Sequence, residues 1–381
     1  MSDWTEKVLG DVAEVRMGQS PPGHLVRDLQ FGTPFLQGNA EFGAHKPEPR
    51  YECDDAPRRA YRGDTLISVR APVGAINQAD RDYRIGRGLA AIRFSGIDSS
   101  FGRHALRRNA RKLALVSQGT TFAAIGGKDL RSLPISVPPA EEQRRIAEIL
   151  DTIDETIQAT ERVIAKSKIS REGLLVQLVK GRTDERFVPL SEVGLWMSGG
   201  TPSTQTAAYW GGSIPWITSS SLYGKYLSAS ERTLTEAGLA AGSRRVQPGT
   251  ILFIVRGMSL KKEFRIGIAA KPVAFGQDCK ALIPDDRFLS EFVYLQLRAR
   301  EPEILKLVDE ASHGTGRLQT SLLGKIPIAN STLAEQRSVV SAFQHQDNLI
   351  NAEIGQLEKL RRTRAGLAAD LLSGRVRKVA S

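Results

Sequence analysis

The chain repeats itself, and that repeat limits what it can fold into more than any other feature. Placing residue n beside residue n+181 aligns Leu9 with Leu190, Val12 with Val193, Gly18 with Gly199, Ser20 with Thr201 and Pro21 with Pro202. The same offset sets TPFLQGNAEFG (33–43) against IPWITSSSLYG (214–224). An offset of 186 then pairs GDTLISVR (63–70) with GTILFIVR (249–256). Small insertions carry it through IGRGLAAI (85–92) beside FGQDCKAL (275–282) and Gly119-Thr120 beside Gly314-Thr315. It settles at 193, where LPISVPPAEEQR (133–144) meets IPIANSTLAEQR (326–337), Asp154 meets Asp347, and Gly181-Arg182 meets Gly374-Arg375. One unit of roughly 190 residues is written twice, so the fold consists of two similar bodies.

Each copy has two parts. The first is rich in short β-type runs, such as 64–69 and 251–255, broken by Gly and Pro, and predicts a mixed α+β globule. The second is a long helical pattern. Ile146, Leu150, Ile153, Ile157, Thr160, Ile164, Ser167, Arg171, Leu174 and Leu178 alternate spacings of four and three, the seam of a coiled coil. Val339, Phe343, Gln346, Ile350, Glu353, Leu357, Leu360, Arg364, Leu367 and Leu371 fall at the same places in the second copy. Thr332 with Glu335 forms a capping box, Pro139 stands at the equivalent entry, and Gly181 and Gly374 suit helix ends. The polar seam residues, among them the matched Arg171 and Arg364, lower stability but fix register.

The expected boundaries are a globule over 1–139, a central helix over 140–182, a second globule over 183–330 and a terminal helix over 331–381. A helix of about 39 residues reaches roughly 58 Å at about 1.5 Å per residue. If the second helix returns along the first, the expected fold is α+β, two repeated globules separated by two antiparallel coiled-coil helices, with an approximate two-fold axis.

Charge narrows the partner. The chain carries 53 Lys and Arg against 42 Asp and Glu, a formal +11, and the excess is local. Residues 81–112 hold nine basic side chains against Asp82 and Asp98, and residues 244–271 hold seven against Glu263. Two such clusters in comparable places suit a polyphosphate, because neutralised phosphates release counterions. Two bodies about a dyad also match duplex DNA, whose half-sites recur at about 34 Å per turn.

Other chemistries lack their residues. Cys53 and Cys279 have no Cys or His neighbour at ligand spacing, and the five histidines form no metal pattern, so no metal site is expected. Gly126-Gly127-Lys128 is followed by Asp129, which is not a phosphate loop. The Pro-Pro pairs 21–22 and 138–139 lack the Asn/Asp-Pro-Pro-aromatic context of an adenine methylase, so no catalytic residue is assigned. No apolar run reaches about 18 residues and the N-terminus lacks the pattern of an export signal, so a cytoplasmic, membrane-free protein is expected.

LPISVPPAEEQRRIAEILDTID leading to LLVQLVKGR, with its counterpart IPIANSTLAEQR leading to LAADLLSGR, resembles the specificity subunit of Type I restriction-modification enzymes over essentially the full length. Gly-Gln-Ser-Pro-Pro (18–22) and Gly-Gly-Thr-Pro-Ser (199–203) are similar to the openings of that family's two target recognition domains. The resemblance implies a non-catalytic reader of double-stranded DNA that binds two modification (methyltransferase) subunits and, through them, restriction/translocase subunits. It directs adenine methylation at a bipartite target. S-adenosylmethionine and ATP/Mg are then expected on the partner subunits, with no cofactor in this chain.

Within each recognition domain the candidate base readers are Gln37 and Asn39, opposed in the second copy by Thr218, Ser219 and Ser220; Asn and Gln suit adenine. Arg70 and Arg256 end matched β-type runs and suit phosphate or guanine. Arg81, Arg84 and Arg87, and Arg244, Arg245, Lys261, Lys262 and Arg265, are expected at phosphates. The competing readings are a stand-alone tandem DNA-binding protein or nuclease, and a coiled-coil scaffold whose basic patches take RNA or acidic proteins.

Overall fold

The computed structural model describes residues 4–117, 124–180, 186–310 and 314–374. Gly119-Thr120, Gly181-Arg182, His313 and Arg375, and the side chains of Arg111 and Lys112, lie outside that description. The chain divides into two compact units, one of residues 1–163 with 353–381 and one of residues 164–352. Four helices matter below: α1 (Ser99–Ser117), α2 (Ala140–Lys180), α3 (Ser290–Ala299) and α4 (Leu333–Leu371). The helices α2 and α4 each contribute to both units.

In the first unit a four-stranded antiparallel sheet runs in the order Ala13–Met17, Leu89–Phe94, Thr65–Ser68, Ile76–Gln78. Ile67, Ala90 and Ile92 from it are fully buried with Phe101 and Leu106 of α1 and Ile146 and Leu150 of α2 in one core. A second sheet has Pro34–Leu36 at its centre, antiparallel to Tyr51–Glu52 and parallel to Tyr83–Ile85. The strand Thr5–Val8 pairs with Pro134–Val137, which leads into α2.

The second unit follows the same plan at the offsets read from the sequence. Gly194–Ser198, Cys279–Pro284, Ile251–Ile254 and Ile266–Ala269 occupy the same order, with Tyr226–Leu227 added at the edge. Trp210–Ile217 runs parallel to Val273–Phe275. The strands are near-continuous apolar runs because both faces are covered, Ile251 to Ile254 being fully buried. One addition is a three-stranded sheet of Arg256–Gly257, Gly316–Leu318 and Val308–Glu310. Among the described residues, the first unit has a single bridge at the matched place, Arg70 with Ala124.

All the seam positions of α2 and α4 are buried or half-buried. In the first unit Asp154 meets Arg364 and Glu161 meets Arg361, so the two helices run in opposite directions there. In the second unit Leu175 packs with Phe343, and Arg171 donates to Asp347 at 2.5 Å. The capping box forms, the Thr332 amide donating to Glu335 at 2.9 Å and the Glu335 amide to Thr332 at 3.3 Å. Gly374 closes α4 with φ +68°, in the left-handed region that glycine adopts without strain. Among the described residues no helix is long and apolar enough to cross a membrane.

Candidate nucleic-acid interface

In each unit, backbone hydrogen bonds between strand ends draw together loops that are far apart in sequence. In the first unit the Gly18 amide donates to the Leu89 carbonyl at 2.8 Å and Gly86 to Leu36 at 2.8 Å. The Gly88 amide donates to Gln37 at 3.2 Å and Val69 to Gly88 at 2.9 Å. The Ser20 hydroxyl accepts from Gln37 Nε2 at 2.9 Å and from the Arg87 amide at 3.2 Å. Ser20, Gln37, Arg70 and Arg87 therefore share one loop cluster, with Asn39 in the short turn that follows Gln37. The glycines are required by close approach. A Cβ on Gly18 would stand 2.1 Å from the Gly86 carbonyl oxygen, closer than any real contact.

The second unit builds the same cluster from different side chains. The Gly200 amide donates to Phe275 at 3.0 Å, Gly276 to Ile217 at 2.8 Å and Val255 to Asp278 at 2.8 Å. The Ser243 hydroxyl donates to Phe275 at 3.0 Å, which brings its exposed neighbour Arg244 to this end. Thr218 and Ser220 bond to each other at 2.9 Å, and the Ser219 carbonyl accepts from Arg265 at 2.8 Å. Arg265 is held by Glu263 at 2.6 Å and lies 4.5 Å from the Tyr223 ring centroid, so a charged side chain stiffens the 218–220 loop from beneath.

The remaining sequence candidates stand elsewhere. Arg81 stands at the far end of the strand Tyr83–Ile85 from the clustered Arg87, and it bonds the Tyr83 hydroxyl. Burial and the Asp80 carboxylate push that phenol up to about 12. Arg84 donates to the Ala56 carbonyl at 2.5 Å. Arg245 pairs with Glu236 at 2.5 Å and Lys261 with Glu310 at 2.8 Å, while Lys262 is exposed. The basic run 81–112 is thus not one patch. Arg93 pairs with Asp64, Arg103 with Asp151 and Arg107 with Asp154, and Arg108 donates to the Leu372 carbonyl.

Sequence reasoning missed Arg58, exposed, whose carbonyl accepts from Ile85 at 3.0 Å at the same end as Gln37. The 186 offset that pairs it with Arg244 was the available signal. Near the second cluster, Cys279 is buried, and burial with the Asp278 charge pushes its thiol up to about 12, so it is no nucleophile at neutral pH. No group of side chains able to hold a metal occurs among the described residues. What these loops offer instead is half-buried amide and hydroxyl groups beside exposed guanidinium groups, the chemistry that reads base edges and phosphates.

Residues 1–167 and 184–362 match the family model of the Type I restriction modification DNA specificity domain. The Escherichia coli Type I restriction enzyme EcoR124I/EcoR124II specificity subunit is 26% identical over 234 residues, 58% of this chain and 57% of that one. The Methanocaldococcus jannaschii Type I restriction enzyme MjaIX specificity subunit is 32% identical over 176 residues, 45% of this chain and 40% of that one. The chain spans about half the length of the curated relatives it matches. The S subunit of a Type I restriction-modification system from M. genitalium aligns over 97% of this chain and 96% of its own, with a TM-score of 0.60 and 19% identity, a likeness of fold.

Proposed function

The chain belongs to the Type I restriction modification DNA specificity domain family, and on that premise we propose that it is the sequence-reading subunit of a Type I restriction-modification complex. It carries no catalytic group of its own. It binds double-stranded DNA at a bipartite target, one half per recognition domain. It docks two modification subunits, through which restriction subunits join, and the S-adenosylmethionine, ATP and magnesium chemistry belongs to those partners.

One observation carries this reading. Two loop clusters have the same backbone plan but unlike polar side chains, Ser20, Gln37 and Arg87 in one and Thr218, Ser219 and Ser220 in the other. Equivalent frames presenting different hydrogen-bonding groups are what a reader of two different half-sites requires. Within them Gln37, Asn39, Thr218, Ser219 and Ser220 meet base edges, and Arg70, Arg87, Arg244 and Arg256 meet phosphates or guanine.

The test is to assemble the chain with its modification subunit and map methylated adenines in a host with and without this gene. A two-part motif that appears only with the gene is expected. Binding indifferent to sequence, or DNA cleavage by the chain alone with magnesium, would overturn the reading.

A further inference from the structure

The extra sheet of the second unit walls an open cleft of about 380 Å³ beside the recognition loops, lined in part by Arg256, Gln277, Asp278, Lys280, Arg317 and Gln319. Three cations face one carboxylate there. Lys280 is oriented by a 2.5 Å hydrogen bond to the Ser198 hydroxyl. Arg256 and Arg317 are register partners on adjacent antiparallel strands, and both are exposed. Their strand is pinned from beneath by the Leu318 amide, which donates to the Val255 carbonyl at 2.9 Å.

The first unit shares one backbone hydrogen bond of this arrangement but not its charge. Ile125 donates to Val69 at 2.9 Å as Leu318 does to Val255, but Ala124 stands in the place of Arg317 and Ala90 in that of Lys280. Arg70 is the retained member, and Arg87 stands where the second unit has Gln277. Neither Lys280 nor Arg317 was singled out by charge clustering along the sequence, because the two lie 37 positions apart and converge only through the sheet.

We propose that Arg256, Lys280 and Arg317 form a clamp for a backbone phosphodiester of the DNA strand entering the second recognition domain, a clamp the first domain lacks. The inference rests on the DNA-reading function above and deepens it. A phosphate is favoured over a base edge because the cleft concentrates positive charge from three separate strands, and a phosphodiester accepts from several donors at once. The second half-site then carries more of the sequence-independent affinity, and the first depends more on its base contacts.

The test uses the full chain assembled with its modification subunit, a duplex bearing the mapped target, and duplexes altered in one half-site. Affinity is measured from 50 to 200 mM salt for the wild type, K280A/R317A and A124R. Each phosphate contact contributes about 0.9 to the slope of log affinity on log salt. The double variant strips two of the three cations from that one phosphate and should therefore lose about 0.9, roughly a 3.5-fold weaker salt response over that range, with discrimination between duplexes retained. Ala124 is exposed, so A124R should steepen the slope by about 0.9 without disturbing a core. Unchanged slopes in both variants, with specific binding intact, would sink the clamp and leave the function standing. Relaxed discrimination at one base pair in the double variant would mean base readout and equally overturn it. A wild-type complex that ignores sequence would instead sink the function itself.

Discussion

Gln143 and Gln336 show how much one side chain can fix. Each is almost wholly buried in the first turn of its long helix. Gln143 accepts from the Asp98 amide at 2.8 Å and donates to the Pro138 carbonyl at 2.8 Å; Gln336 accepts from Leu289 at 2.8 Å and donates to Arg287 and Ser331 at 2.8 and 2.9 Å. Both staple the helix entry to the loop that opens α1 or α3. Replacing either with Ala strands a buried amide, at about 1–3 kcal/mol, so exchange of the Asp98 or Leu289 amide should accelerate roughly ten-fold or more in hydrogen-exchange measurements. The Glu-Gln-Arg motif was visible in the sequence, but its bonding partners were not, since they lie 45 and 47 positions away.

His104 is a residue for which the two copies differ. It is 1% exposed; Nε2 donates to Asp151 at 2.9 Å, and Nδ1 faces Arg364 Nη2 at 3.4 Å. Arg103 and Arg107 complete its surroundings. Burial, opposed in part by Asp151, lowers its pKa to about 4, so the folded protein holds it neutral. Protonation therefore favours the unfolded chain. Stability is full above about pH 6.5 and is lost as pH falls toward 4, by on the order of 3 kcal/mol. Below that, Asp151 and Asp154 add their own loss. Burial raises each, but hydrogen bonds from Ser100 and His104 on the one and from Arg364 on the other hold both below the usual carboxylate range. The matched residue in the second unit is Leu295, packed on Leu175 and Phe343. H104L should therefore flatten the fall in melting temperature between pH 7 and pH 5; an unchanged fall would show that other groups titrate there.

At the scale of the element, α2 and α4 carry reciprocal polar pairs on an apolar seam. Arg364 donates to Asp154 at 2.9 Å, and Arg171 to Asp347 at 2.5 Å. Asp347 is the repeat partner of Asp154, and Arg364 that of Arg171. The sequence presented Arg171 and Arg364 as register-fixing seam residues and matched Asp154 with Asp347 through the offset of 193. It did not show that they pair crosswise, because that follows from the helices running in opposite directions. A slip by one heptad would leave all four charges half-buried and unpaired, so the pairs select one register at little net gain. Double-mutant cycles on D154A with R364A, and on R171A with D347A, should give coupling energies of about 1–2 kcal/mol, less in high salt for the second pair, whose Asp347 is more exposed. Coupling near zero in both would mean that the apolar seam alone sets register.

At the scale of the whole molecule, the helices are the proposed ruler between half-sites. Removing one heptad from each keeps both seams in phase and shortens each rod by about 10 Å, or roughly three base pairs. The methylated target should then have a spacer about three base pairs shorter, and a motif of unaltered spacing in methylome sequencing would contradict the ruler. The repeat, its offsets, the two seams and the strand segments were determined by sequence, because periodicity and self-similarity are local properties that survive without coordinates. Tertiary structure decided what became of the charges. It separated Arg81 from Arg87 by the length of a strand, turned Arg84 to the Ala56 carbonyl, spent Arg103 and Arg107 on carboxylates of α2, and drew Lys280 and Arg317 into one cleft. A charge acts through space and falls off within about 10 Å, so its partner is set by which strands lie side by side, a fact that no stretch of sequence contains.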